Sequence, residues 1–94
     1  MRKIIQSNQF KRDYKKIAKS GRYSMDDFLF VVDSLACDVC LPSKYRDHTL
    51  SGQWLGFREC HIKPDWLLIY EKQSKGSEKC LELIRTGSHS ALFE

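Results

Sequence analysis

Histidine occurs three times in this chain, as His48, His61 and His89, each beside a turn or loop in "RDHTL", "CHIKPD" and "GSHS". It is the side chain whose proton moves most readily near neutral pH. With Arg85, Lys63 and Asp65, the set suits proton transfer around a phosphodiester. Such a reaction needs a 2′-hydroxyl deprotonated, the growing charge of a phosphorane neutralised and a departing 5′-oxygen protonated. A histidine or carboxylate can do the first, an arginine the second and a histidine the third. Trp66 and Phe93 offer faces against which an unstacked base could rest.

Each of these residues also has a purely structural reading. Histidines in turns are commonly surface residues. Asp65 after Pro64 is a natural turn former, Trp66 a core or rim aromatic, and Phe93 a pin for the terminus. Arg85 could pair with Glu59 or Glu82. Three histidines without close spacing give no zinc motif, and Cys37 and Cys40 form one C-x-x-C with no second to complete a ribbon. Cys60 and Cys80 could in principle complete a thiolate site, but all four cysteines are expected as reduced thiols acting as small hydrophobes. No acidic cluster points to a two-magnesium nuclease. Glycine-rich phosphate loops and nucleophile elbows are absent. No metal or other cofactor is called for.

The elements that must position these residues follow from periodicity. "RKIIQS" reads as a short strand. Phe10, Tyr14, Ile17 and Ala18 then recur at helical spacing, with Lys11, Arg12, Lys15 and Lys19 on the opposite side. Ser7 or Asn8 caps that helix and Gly21 ends it. Ser24 with Asp27 opens a second helix, "SMDDFLFVVDSLACD", whose core stripe is Phe28, Val31, Val32, Leu35 and Ala36. After the long loop "PSKYRDHTLSGQ" the period changes to two. "WLGFRECHI", "WLLIYEK" and "CLELIRT" read as strands, joined by "KPD" and "QSKGSEK", and "GSHSALFE" closes the chain. The fold class is therefore α+β, a β-α-α-β-β-β order in which an antiparallel sheet carries a helical hairpin on one face. Alternation places Trp66, Leu68 and Tyr70 on one side, Glu59, His61 and Lys63 together, and Arg85 at the end of the Leu81–Leu83 row. A guanidinium there is costly to bury without an anion beside it.

Ninety-four residues with 41% hydrophobic composition suit one folded domain, residues 1–94, rather than a disordered chain. No apolar run is long enough to span a bilayer and no signal-peptide pattern opens the sequence, so cytoplasmic residence is expected. Charge is unevenly spread. In residues 1–23 eight Lys and Arg face a single acid, Asp13, so this segment carries +7 of a chain whose net charge is +4, and the rest carries −3. A solvated helix face is the plain reading, and an anionic partner, polyphosphate or acidic protein, is the functional one.

"DHTLSGQWLGFRECHIKPDWLLIY" followed by "LIRTGSHSALF" resembles the YafQ-type toxins of the RelE superfamily, the ribonuclease halves of bacterial type II toxin–antitoxin pairs. The resemblance covers nearly the whole chain. It implies a ribosome-dependent endoribonuclease that cuts mRNA without a metal, by 2′-hydroxyl attack leaving a cyclic phosphate and a free 5′-hydroxyl. Carried over by motif position, it implies His48, His61, Asp65, Arg85 and His89 as catalytic residues. His89 would be the general acid, Asp65 or His61 the general base, Arg85 the phosphorane's counter-charge, and His48 would orient the nucleotide. Trp66, Phe93 and Lys63 would contact or support the substrate. Lys11, Arg12, Lys15, Lys16 and Lys19 would face ribosomal RNA. It also implies an acidic, DinJ-like antitoxin that blocks the site and represses transcription together with the toxin, so that DNA is met only through that complex. The "KQSKGSEKC" connection and the C-x-x-C depart from the family pattern outside these motifs. Two other expectations are a non-catalytic RNA- or antitoxin-binding module of the same fold, and a ParE-like gyrase inhibitor, which would lack this histidine set.

Overall fold

The computed structural model describes residues 1–93; Glu94, the last residue of the expected domain, lies outside the described residues. Strand β1 (Lys3–Gln6) runs straight into helix α1 (Asn8–Ser20) through Ser7. The Ser7 hydroxyl accepts the Phe10 N–H at 2.9 Å and so satisfies one of the helix's unpaired donors. Gly21 closes the helix in the left-handed region, φ 69°, which a residue with a Cβ adopts only under strain. Helix α2 (Met25–Ala36) begins where Ser24 accepts the Asp27 N–H. All five residues of its expected stripe are buried. In α1 the buried set is Phe10, Asp13 and Ile17, whereas Ala18, expected on that face, is exposed.

The sheet has five strands in the order β1-β5-β4-β3-β2, with β2 (His48–Thr49), β3 (Arg58–Lys63), β4 (Trp66–Lys75) and β5 (Glu78–Gly87). A final short helix, α3 (His89–Phe93), forms within the closing segment "GSHSALFE", where the sequence predicts a turn and a short terminal piece. The sheet is mixed rather than wholly antiparallel, because β1 pairs parallel to β5. The long connection that parallel pairing requires is here everything from α1 to β4, the helical hairpin carrying the chain from β1 at one sheet edge toward β2 at the other. The expected long loop holds two single 3₁₀ turns, Ser43–Tyr45 and Gly52–Trp54, with β2 between them. β4 and β5 run further toward each other than the residue types suggest: Lys75 pairs with Glu78, and Gly76 at φ 62° turns the corner.

The two sheet faces are buried differently. Cys60, Ile62, Trp66, Leu68, Tyr70, Leu81 and Leu83 pack under α1 and α2 in the main core. At about 1.5–3 kcal/mol for each fully buried large apolar side chain, this face supplies most of the driving force. On the opposite face Leu67, Ile69 and Leu92 form a smaller cluster with Leu50, Trp54, Phe57 and Ile84. Cys60 and Cys80 are buried thiols, while Cys37 and Cys40 are exposed.

One irregularity changes which residues face where. Tyr70 pairs with Leu83 and Ile69 with Arg85, so Ile84 is an extra residue in β5. Beyond this bulge Thr86, not Arg85, continues the helix-facing row. Thr86 is buried; its hydroxyl accepts the Trp66 indole N–H at 3.0 Å and donates to the Leu67 carbonyl at 2.8 Å. The expected placement of Arg85 in line with Leu81 and Leu83 is thus corrected, because one inserted residue reverses strand alternation. β1 ends opposite Leu83, and side chains then take over its ladder: the Ser7 hydroxyl donates to the Ile84 carbonyl at 2.7 Å, and the Thr86 N–H donates to Asp13 at 3.2 Å.

Candidate active site

Strand pairing brings the chemistry-bearing residues into two rows across the face away from the helices. His48 lies opposite Glu59, Glu59 opposite Ile69, and Ile69 opposite Arg85. In the next row His61 lies opposite Leu67, and Leu67 opposite Gly87, two residues before His89. Neighbouring strands are about 4.8 Å apart, so the rows span roughly 10–15 Å, the scale of one or two nucleotides.

Glu59 sits at the centre of this face; from sequence it has no catalytic or substrate-binding role, only that of a candidate ion-pair partner for Arg85. It is only 5% exposed, and its Oε1 lies 3.4 Å from His48 Nε2 and 3.7 Å from His61 Nε2. Its Oε2 is buried with no hydrogen-bond partner among the described residues. The sequence held a signal for it: alternation in "FRECHIK" puts Glu59 on the side of His61. The two imidazole rings stand 6.3 Å apart with this carboxylate between them. His48 Nδ1 is 2.6 Å from the Arg46 carbonyl and His61 Nδ1 is 3.2 Å from the Pro64 carbonyl. A carbonyl only accepts, so each Nδ1 carries the proton and each Nε2 is turned toward Glu59.

The loop carrying His48 is fixed one residue earlier. Tyr70 donates its phenol proton to Asp47 at 2.5 Å, and Arg58 Nε approaches the same oxygen at 3.3 Å. Burial, and then this bond to Asp47, push the Tyr70 phenol well above its ordinary value, so it stays a donor.

Asp65 does more than form a turn. Its Oδ1 accepts the backbone N–H of His89 at 3.0 Å, tying the β3–β4 corner to the start of α3. The His89 and Phe93 rings lie 5.1 Å apart, and Trp54 meets Phe93 edge-on at 6.3 Å. Phe93 is partly exposed, so its ring is open to a ligand. Trp66 is not: it is 1% exposed, on the helix side of the sheet against Tyr23 and Phe28, so direct stacking on a base is ruled out by position. Lys63 follows a register shift at the end of β3 and pairs with Asp27 of α2 at 3.0 Å. It borders a cavity of about 270 Å³ that His61, Lys44 and Tyr45 also line.

Arg85 is held from below. Its Nε and Nη2 each donate to Asp13 at 3.1 Å. Burial alone would raise the Asp13 carboxyl, but hydrogen bonds from Arg85, then from Gln9 and the Thr86 N–H, outweigh it and hold the group below its ordinary value. The anion that a buried arginine needs is therefore the one acid of the basic amino-terminal segment, not Glu59 or Glu82. Lys11, Arg12, Lys15, Lys16 and Lys19 of α1 are all exposed. Among the described residues no group of three or more His, Cys, Asp or Glu side chains is placed to hold a metal ion.

Residues 2–94 match the family model for the bacterial toxin of type II toxin–antitoxin systems, YafQ. The chain is 39% identical over 93 residues to the mRNA interferase toxin YafQ of Escherichia coli K12, covering 98% of this chain and 96% of that protein. Among solved structures it resembles the E. coli DinJ–YafQ complex at TM-score 0.83 and 37% identity, with both chains covered fully. It also resembles a metal-bound toxin from Helicobacter pylori at TM-score 0.87 and 44% identity, covering 99% of this chain and all of that one.

Proposed function

Because the chain belongs to the YafQ toxin family, we propose that it is an mRNA interferase: a single-domain toxin, residues 1–94, that cleaves mRNA on the bacterial ribosome and is neutralised by a DinJ-like antitoxin. Its place of action is then the cytoplasm, and no helix among the described residues is long and apolar enough to cross a membrane. The observation that carries the reading is the pairing of His48 and His61 about one buried carboxylate, in the same strand rows as Arg85 and the start of α3.

The assigned roles follow from that arrangement. His61 takes the proton of the attacking 2′-hydroxyl at Nε2. At 3.7 Å from Glu59 this nitrogen is not yet bonded, and the imidazolium it becomes is stabilised by the adjacent carboxylate. Asp65, the alternative base, already uses one oxygen to set α3 and acts through His89. His48 orients the nucleotide, and Arg85 meets the charge of the phosphorane. His89, exposed at the start of α3 with its ring against Phe93, protonates the leaving 5′-oxygen. Phe93 positions a base, Lys63 the adjoining backbone, and Trp66 supports from within the core. The exposed Lys and Arg of α1 meet ribosomal RNA.

Single-turnover cleavage of mRNA on programmed ribosomes tests this. Wild type should leave a cyclic phosphate and a free 5′-hydroxyl, and His89→Ala should slow cleavage by roughly 100- to 10,000-fold. Rates within about threefold of wild type for both His89→Ala and His61→Ala would reject the assignment.

A further inference from the structure

We infer that Asp13 is a positioning residue for the cleavage reaction, clasping one edge of Arg85 so that the other edge is aimed at the scissile phosphate. The inference rests on the reading of Arg85 given above. Asp13 belongs to α1, far in sequence from any residue of the site motif, and is only 5% exposed. Its four bonds use both oxygens fully: Oδ2 accepts Arg85 Nε at 3.1 Å and the Thr86 N–H at 3.2 Å, and Oδ1 accepts Arg85 Nη2 and Gln9 Nε2, each at 3.1 Å.

A guanidinium has five N–H donors in a rigid plane. The Asp13 carboxylate takes two of them, both on the Nε–Nη2 edge. Among the described residues the other three have no acceptor, and the Arg85 side chain keeps 24% of its surface open. It lines a cavity of about 210 Å³ between α1, β5 and α3, with Lys16 and Ser88 on the same walls. Side-on pairing of this kind fixes the plane of the ring and leaves the distal edge directed away from the carboxylate. Because the bulge at Ile84 has taken Arg85 out of the helix-facing row, its backbone alone does not set that direction; Asp13 does.

A merely structural ion pair is a weaker account. Buried pairs contribute little net stability compared with packed apolar groups, whereas a fixed donor edge matters directly to charge developing on a phosphorane.

The test is a double-mutant cycle in single-turnover cleavage of ribosome-bound mRNA, with melting curves for every variant. Asp13→Asn should slow the chemical step by about 10- to 100-fold, with half-saturating ribosome concentration within about threefold of wild type. In an Arg85→Ala background the same substitution should change the rate less than about twofold, since the group it positions is gone. Should Asp13→Asn fail to fold, Asp13→Glu keeps the charge but displaces the guanidinium by about an ångström, and should slow cleavage about 10-fold or more. Equal slowing by Asp13→Asn in both backgrounds, or wild-type cleavage by a folded Asp13→Asn or Asp13→Glu, overturns the inference. An inactive Arg85→Ala beside an active Asp13→Asn sinks the inference alone, whereas an Arg85→Ala that cleaves at the wild-type rate sinks the reading of Arg85 with it.

Discussion

Replacing Glu59 by Met should make the protein more stable and far less active. Glu59 is buried with its Oε2 unpartnered, and its cross-strand neighbour is the fully buried Ile69. An unmet buried polar oxygen costs about 1–3 kcal/mol. A methionine of similar volume would remove that cost and extend the apolar cluster of Leu67 and Ile69. In exchange it forfeits only long contacts to His48 and His61, 3.4 and 3.7 Å in the folded protein. At about 4–8 °C per kcal/mol for a chain of this size, the melting temperature should rise by about 4 °C or more. Cleavage should fall by about 100-fold or more, because the imidazolium formed in the reaction loses its counter-charge. Differential scanning calorimetry and single-turnover cleavage on the same preparation measure both. A melting temperature that drops, or a rate that stays near wild type, would show that the carboxylate is there for the fold and not for the chemistry.

Thr86→Val keeps the shape of a buried side chain but leaves the Trp66 indole N–H without its acceptor, so thermal unfolding should show a loss of about 1–3 kcal/mol; an unchanged melting temperature counts against that bond. Asp13 has a folded-state carboxyl below its ordinary value, so its stabilisation is full above the unfolded value of about 3.9 and is lost as pH falls through the folded value. Urea unfolding between about pH 2 and 7 should therefore find Asp13→Asn less stable than wild type at neutral pH, with the gap closing in acid; a gap independent of pH contradicts the linkage. Exchanging Lys11, Lys15 and Lys19 for Glu should weaken ribosome co-sedimentation, most at low salt, while the melting temperature barely moves, because all three are exposed. The opposite pattern would make that face structural.

The local parts of this fold are written plainly in the sequence. Ser7, Gly21 and Ser24 mark helix ends by their own hydrogen-bonding and backbone preferences, and the α2 stripe follows from periodicity alone. Alternation correctly separates Leu67 and Ile69 from Trp66, Leu68 and Tyr70. What escapes local reading is set by distant pairing. The parallel β1–β5 pair joins the two ends of the chain, and nothing in "KIIQ" names its partner. The two residues of β2 are too few to make a pattern, yet they put His48 opposite Glu59. The bulge at Ile84 has no residue signature, and it reversed the face assigned to Arg85. Asp13 reads as one acid lost among cations, although positions 10, 13, 14 and 17 share one helical stripe. The stacking reading of Trp66 fails for another reason: alternation gives its side of the sheet, but not that α1 and α2 close over the ring and leave it 1% exposed.

The extra residue in β5 makes the carboxyl-terminal third sensitive to its own length. Losing the single codon for Ile84 would restore strict pleating and leave Arg85 opposite Ile69 and Thr86 opposite Leu68, whereas one codon gained after Ile84 would send Arg85 inward against the helices and turn the Thr86 hydroxyl out to water. No exchange of one side chain for another inverts so much at once, so single-residue insertions there should be tolerated less well than the loss of Ile84 or any substitution at the same position.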